Sequence, residues 1–162
     1  MNVQDSVVFV TGANRGLGLA FSREALSRGA AKVYAGMRNT DGFDVPGIVP
    51  MKLDVTDPAS VSAAAASCGD TTLLANNAGI GGIVTGPLDG NMDELSRELF
   101  ETNFYGVIRV IQAFAPVLAR NGDGARRASS SVRPSSCVPR FPAPRRPPAS
   151  CRPGAPRTPP RS

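Results

Sequence analysis

The sequence predicts an α/β fold: a parallel sheet wound by helices on both faces, followed by a tail that belongs to no fold. Three observations predict it. Short apolar runs alternate with helical stretches from residue 5 to residue 120. A glycine-rich loop, "TGANRGLG" at 11–18, joins the first apolar run to the first helical stretch. The composition then breaks at Asn121-Gly122, beyond which fall ten of the fifteen prolines and no Leu, Ile or Met. Strand–helix alternation at this spacing calls for crossover connections and hence parallel strands. Right-handed crossovers gather the loops that follow the strands on one sheet edge, where ligands bind.

Taken in order, Val7–Val10 is a continuous apolar run, as in a strand buried on both faces. After the glycine loop, Leu17, Ala20, Phe21 and Ala25 recur as one helix face, and Gly29 suits the left-handed position that closes a helix. "KVYAGM" (32–37) is the second strand and "IVPMKLDV" (48–55) the third. Pro50 cannot donate to a ladder, so the third strand is expected at a sheet edge. Asp57-Pro58 reads as N-cap and first helical residue of a helix ending at Gly69. "TTLLANNAG" (71–79) is a fourth buried strand running into a loop. Residues 91–120 read as a long helical stretch, two helices meeting near Asn103. Its face is Val107, Ile111, Phe114 and Leu118, and Pro116 is expected to kink or end it.

Residues 1–120 carry 9 Lys/Arg against 12 Asp/Glu, and residues 121–162 carry 9 Arg against Asp123 alone. The net charge of +5 and the isoelectric point near 9.7 therefore belong to the tail, not the body. A nucleic-acid-binding role for the whole chain does not follow from them. The chain has no histidine, and its cysteines stand at 68, 137 and 151, so His-based triads and metal-ligand spacing are absent and no metal is expected. The amino terminus lacks a basic segment followed by a long apolar one, and no run reaches the roughly 20 apolar residues of a membrane span. A cytoplasmic protein without a membrane role is the expectation.

The tail, "SSSVRPSSCVPRFPAPRRPPASCRPGAPRTPPRS", has no period of 2 or 3.6. It offers too little apolar surface to offset ordering its backbone, and is expected to be disordered with polyproline II bias. Arg, Pro, Ala, Ser and Gly are also what GC-rich codons give out of register. A shifted reading frame from about Gly122–Ala128 is thus one account of it, and a genuine basic tail for acidic partners the other.

A glycine turn between a buried strand and a helix aims backbone N–H groups and the positive helix end at one spot, which suits phosphate. The spacing Gly12-x-x-x-Gly16-x-Gly18 is one residue longer in its first gap than the common dinucleotide fingerprint. Twenty residues after Gly18 stands Arg38, where dinucleotide folds place a ribose-binding acid or an arginine for a 2′-phosphate. With Arg15 in the loop, two guanidinium groups favour NADP over NAD, while Asp41 and Asp44 remain the competing ribose acids.

"TGANRGLG" after the first strand, "LDVTD" (53–57) after the third and "NNAG" (76–79) after the fourth resemble the short-chain dehydrogenase/reductase family, over about residues 5–120. The resemblance implies a Rossmann-like doubly wound parallel sheet, here truncated. It implies that Gly12, Asn14, Arg15, Gly16, Leu17 and Gly18 line the pyrophosphate and adenosine phosphate. Asp54 would bond the adenine amino group with the Val55 backbone beside it. Asn76 would brace the central strand, and Asn77, Ala78 and Gly79 would pack along the cofactor ribose. Asn103 falls where the family places an asparagine that holds a water in a proton relay. The implied substrate is a small carbonyl or alcohol, and an intact member is expected to be a homo-oligomer.

The same resemblance calls for a Tyr-x-x-x-Lys pair and a serine on a fifth strand. The tyrosines are Tyr34 and Tyr105 and the lysines Lys32 and Lys52, so no such pair exists. Ser129–Ser131 stand near the expected serine, without an apolar strand to carry them. The sequence therefore predicts dinucleotide binding without hydride transfer.

Overall fold

The computed structural model describes residues 3–81 and 92–121. The expectations for the tail, including Ser129–Ser131, lie outside them. The elements run β1 (Val7–Thr11), α1 (Gly16–Ser27), β2 (Lys32–Met37), β3 (Ile48–Lys52), α2 (Pro58–Ser67), β4 (Leu73–Ala75), α3 (Met92–Phe100), a π-helical turn (Glu101–Tyr105) and α4 (Gly106–Asn121). The four strands form one parallel sheet in the order β3-β2-β1-β4. Pro50 sits in β3 at one edge, as its missing donor requires. The three-residue β4 forms the other edge, and among the described residues nothing pairs with its outer side.

Residues on β1 alternate between two cores. Val8 and Val10 pack with Val33, Ala35 and Ile48 and with Ala25 of α1 on one face. Phe9 packs on the other with Tyr34, with Val61, Ala64 and Ala65 of α2, and with Val110 and Phe114 of α4. The Phe9 and Phe114 rings, both fully buried, lie 4.7 Å apart at 51°. Helices thus cover both faces, and the continuous apolar run of β1 is explained by burial from both sides.

Helix α1 buries a different stripe from the expected one. Gly18, Ser22 and Ala25 face the sheet, while Leu17 is 71% and Phe21 51% exposed. Small residues win because α1 starts almost on top of β1: a Cβ on Gly18 would lie 2.3 Å from the Gly12 carbonyl oxygen. Ser22 settles its buried hydroxyl by donating to the Gly18 carbonyl. The helix ends as expected at Gly29, with φ +83°. The Gly29 N–H reaches the Leu26 carbonyl and the Ala30 N–H the Ala25 carbonyl, the paired bonds of a Schellman close.

In α4 the buried stripe is Gly106, Val110, Phe114 and Val117, so Phe114 is in place but Ile111 is half exposed. Pro116 does not end the helix, which runs on to Asn121. Pro116 and Gln112, whose carbonyl loses its i+4 donor to the proline, are both exposed. The expected junction near Asn103 is a π-helical turn in a continuous helical path, where the Gly106 N–H bonds back to the Glu101 carbonyl.

Candidate functional site

The carboxyl ends of β1, β2 and β4 and the start of α1 meet on one edge of the sheet. Two side chains join them. Thr11, 1% exposed, accepts through its hydroxyl from the N–H groups of Asn77 and Ala78, both at 2.9 Å. Asn77 returns two bonds, its Nδ2 donating to the carbonyls of Thr11 (3.0 Å) and Gly12 (3.2 Å). Those carbonyls lie where the β1 ladder ends, and a buried acceptor left unpaired there would be costly. The bracing expected of Asn76 is therefore made by Asn77, and Asn76 is exposed. Thr11 was not among the sequence-predicted residues. Its signal is a hydroxyl placed at the last position of an otherwise apolar strand.

The glycine loop is tied down on one side and open on the other. Gly12 has φ +66°, and a Cβ there would lie 2.7 Å from the Ala78 Cα. The Ala13 N–H donates to the Gly36 carbonyl, fixing the loop to β2. Gly16 has φ +57°, yet a Cβ there would meet nothing within 4 Å. Asn14, Arg15, Gly16 and Leu17 all face solvent. Helix α1 begins here with Arg15 at its N-cap, without a side-chain cap and with no acid in its first turn. Helix α2 differs: Asp57 accepts from the Ala59 N–H at 2.9 Å. So α1 presents N–H groups without a side-chain cap among the described residues, and the positive end of its dipole, beside an exposed arginine.

Arg38 follows β2 and is exposed, and neither it nor Arg15 has an ion-pair partner among the described residues. Asp54 follows β3. Its Oδ1 accepts from the Thr56 hydroxyl (2.7 Å) and the Thr56 N–H (2.9 Å), and its own N–H donates to the Ser60 hydroxyl. The Thr56 bonds, with a smaller contribution from the Arg38 charge, hold the Asp54 carboxyl below the usual carboxylate range. Oδ2 has no protein donor among the described residues. Val55 is buried beneath the start of α4, where a Cβ on Gly106 would lie 2.8 Å from its Cγ2.

Asn103 lies in the π-helical turn, and its side chain grips one residue from both sides. Oδ1 accepts from the Ile80 N–H at 2.9 Å and Nδ2 donates to the Ile80 carbonyl at 2.8 Å. Gly79 lies beneath it: a Cβ there would be 3.1 Å from the Asn103 Oδ1. The structure thus places the loop after β4 between β1 and the π turn.

Tyr34 and Lys32 are near one another but at the wrong edge. Lys32 opens β2, at the amino ends of the parallel strands. The Tyr34 hydroxyl donates to Asp70 (2.9 Å) and accepts from Lys32 (3.1 Å), and Lys32 also donates to Asp70 at 2.7 Å. Burial is the main cause that raises the Tyr34 pKa, so this is not an activated phenol. Among the described residues, no cluster of three or more His, Cys, Asp or Glu could hold a metal, and no helix is long and apolar enough to cross a membrane.

Comparison with known proteins gives this crevice a family. The chain is 35% identical over 134 residues to the short chain dehydrogenase tazN of Aspergillus terreus, covering 74% of this chain and 29% of that one. A solved short chain dehydrogenase from Burkholderia cenocepacia, in complex with NADP, is 39% identical with a TM-score of 0.69, covering 75% of this chain and 52% of that one. The NADPH-bound carbonyl reductase from chicken fatty liver is 37% identical with a TM-score of 0.62, covering 70% and 48%. The chain spans about half the length of these solved relatives, and less of tazN. The family model for short chain dehydrogenases matches residues 6–132, and the chain belongs to that family.

Proposed function

We propose that residues 5–120 bind NADP(H) as the dinucleotide-binding part of an oxidoreductase acting on a small carbonyl or alcohol, in the cytoplasm. The observation that carries this reading is the contrast between two helix starts. Helix α2 is capped by its own Asp57, whereas α1 leaves its N–H groups open over Gly16, the glycine of the 11–18 loop whose Cβ would meet nothing within 4 Å. That arrangement fits a pyrophosphate. Gly12, Asn14, Gly16, Leu17 and Gly18 form its cradle, and Arg15 with Arg38 would take the adenosine 2′-phosphate in preference to a bare ribose. Asp54 would accept from the adenine amino group through Oδ2, with Val55 beside the ring. Asn77, Ala78 and Gly79 would flank the ribose, with Asn76 exposed at the same loop. The NADP and NADPH named in the two solved relatives support the cofactor assignment.

NADP(H), when bound, carries the hydride. The Asn103 amide is committed to Ile80, so a relay water at this position would rest on the backbone of the π turn. The proton at the substrate oxygen needs a tyrosine–lysine pair that these 162 residues lack. Titration calorimetry with NADPH tests the binding reading: the wild-type chain is expected to bind, and Gly16→Asp, which puts a carboxylate into the phosphate cradle, is expected to abolish binding without unfolding the sheet. Equal binding by both proteins would refute it.

A further inference from the structure

The π turn that carries Asn103 is fastened by a residue with no assigned part in the site. Arg109 of α4 pairs through Nη2 with the Glu101 carboxylate, and its Nη1 donates to the Val55 carbonyl at 3.4 Å. A π turn acts as a one-residue insertion in the helical register. Residues eight apart across it therefore stand as residues seven apart do in an α-helix, two turns along one face. Glu101 and Arg109 are eight apart. In an unbroken α-helix they would diverge by about 80° around the axis. The ion pair is thus matched to the π register. Gly106 supplies a second, independent observation: its lack of a side chain lets the start of α4 rest against Val55, with a notional Cβ 3.3 Å from the Val55 carbonyl oxygen.

These contacts form a chain from one end of the crevice to the other. The Asp54–Thr56 loop is held at the Val55 carbonyl by Arg109, Arg109 holds Glu101, and Glu101 opens the turn whose Asn103 grips Ile80. We propose that Arg109 is a positioning residue: it keeps the turn in the register that aims Asn103 at Ile80 and ties that turn to the adenine-side loop. Occupancy of the adenosine end is then felt at Asn103. The assignment of an adenosine end rests on the NADP(H) reading above.

The test combines amide hydrogen exchange by NMR on the full chain with calorimetry, using adenosine 2′,5′-bisphosphate as the probe. In the wild type the probe is expected to raise protection of the Ile80 amide. In Arg109→Met, Ile80 protection falls, the probe no longer restores it, and probe affinity drops about threefold to tenfold, as for loss of one hydrogen bond of ordinary net strength. In Glu101→Gln, Ile80 protection falls but affinity holds. The swap of Glu101→Arg with Arg109→Glu restores the pair, and with it Ile80 protection. Its affinity stays low, because a carboxylate cannot donate to the Val55 carbonyl. Should Arg109→Met also lower protection of the β1 amides, Arg109→Lys replaces it; a single ammonium is expected to keep Ile80 protected and still lose affinity. Unchanged Ile80 protection in Arg109→Met, or a swap that fails to restore it, overturns the proposal. A wild-type chain that ignores the probe sinks the NADP(H) reading instead, and the Ile80 response to the swap then decides the role of Arg109 by itself.

Discussion

Gly16 and Gly18 are two residues apart, yet the same substitution should read differently at each. Gly18→Ala puts a methyl 2.3 Å from a backbone oxygen, so the start of α1 must move off β1. A loss of about 3 kcal/mol or more of stability is expected, as for severe overpacking. Gly16→Ala meets no neighbour and bears only its left-handed φ of +57°, about 1–2 kcal/mol. Its larger effect should fall on nucleotide affinity. Urea denaturation beside NADPH titration separates the two. Thr11→Val keeps the shape of the side chain but strands the N–H groups of Asn77 and Ala78, at about 1–3 kcal/mol. Asp54 gives a pH signature. Its folded pKa lies below the unfolded value, so its contribution is present above the unfolded pKa and is lost as pH falls through the folded one. Asp54→Asn should therefore flatten the acid limb of a stability–pH profile measured from pH 6 downward and leave the alkaline limb as it was.

At the scale of elements, the two helix starts invite opposite treatment. Asp57→Ala removes the cap of α2 and should cost about 1 kcal/mol by thermal or urea unfolding. Placing an acid in the first turn of α1 should stabilise the chain through the dipole while weakening NADPH binding. The four strands, the edge position of β3, the Asp57 cap and the Gly29 close were legible because each rests on a local rule: an apolar run, a missing donor, a cap, a left-handed residue. The helix faces were not. Leu17 and Phe21 match the helical period as well as Ala25 does, and only the approach of Gly18 to Gly12 decides that the small residues go inside. In α4, Val107–Ile111 and Gly106–Val110 are competing stripes that share Phe114. The choice is made by the Gly106–Val55 contact and by the π turn, neither of which leaves a period in the sequence. In the site, motif spacing located the crevice, but the exchange of bonds between Thr11 and Asn77 depends on two strand ends 66 residues apart in the chain.

Over the molecule as a whole, the crevice and the chemistry come apart. Tyr34 is locked to Asp70 and Lys32 at the far edge of the sheet, and Tyr105 is half exposed in the π turn, so neither replaces a tyrosine–lysine pair. NADPH oxidation by these 162 residues against aldehydes, ketones and quinones should be absent; turnover that Gly16→Asp abolishes would contradict this. Phe100, Phe104, Tyr105, Ile108 and Ile111 leave a broad apolar surface along α3 and α4, and β4 leaves its outer edge unpaired among the described residues. Such a surface and such an edge promote association, so sedimentation velocity should show self-association that rises with concentration. The central claim is that the open start of α1, with Arg15 and Arg38 beside it, selects a 2′-phosphorylated dinucleotide. Calorimetric titration of NADPH and NADH into the wild-type chain and into Arg38→Ala tests it most directly. Tighter binding of NADPH by the wild type, with that preference reduced in Arg38→Ala, is the predicted result; equal affinity for both cofactors, or a preference for NADH that survives Arg38→Ala, would contradict it.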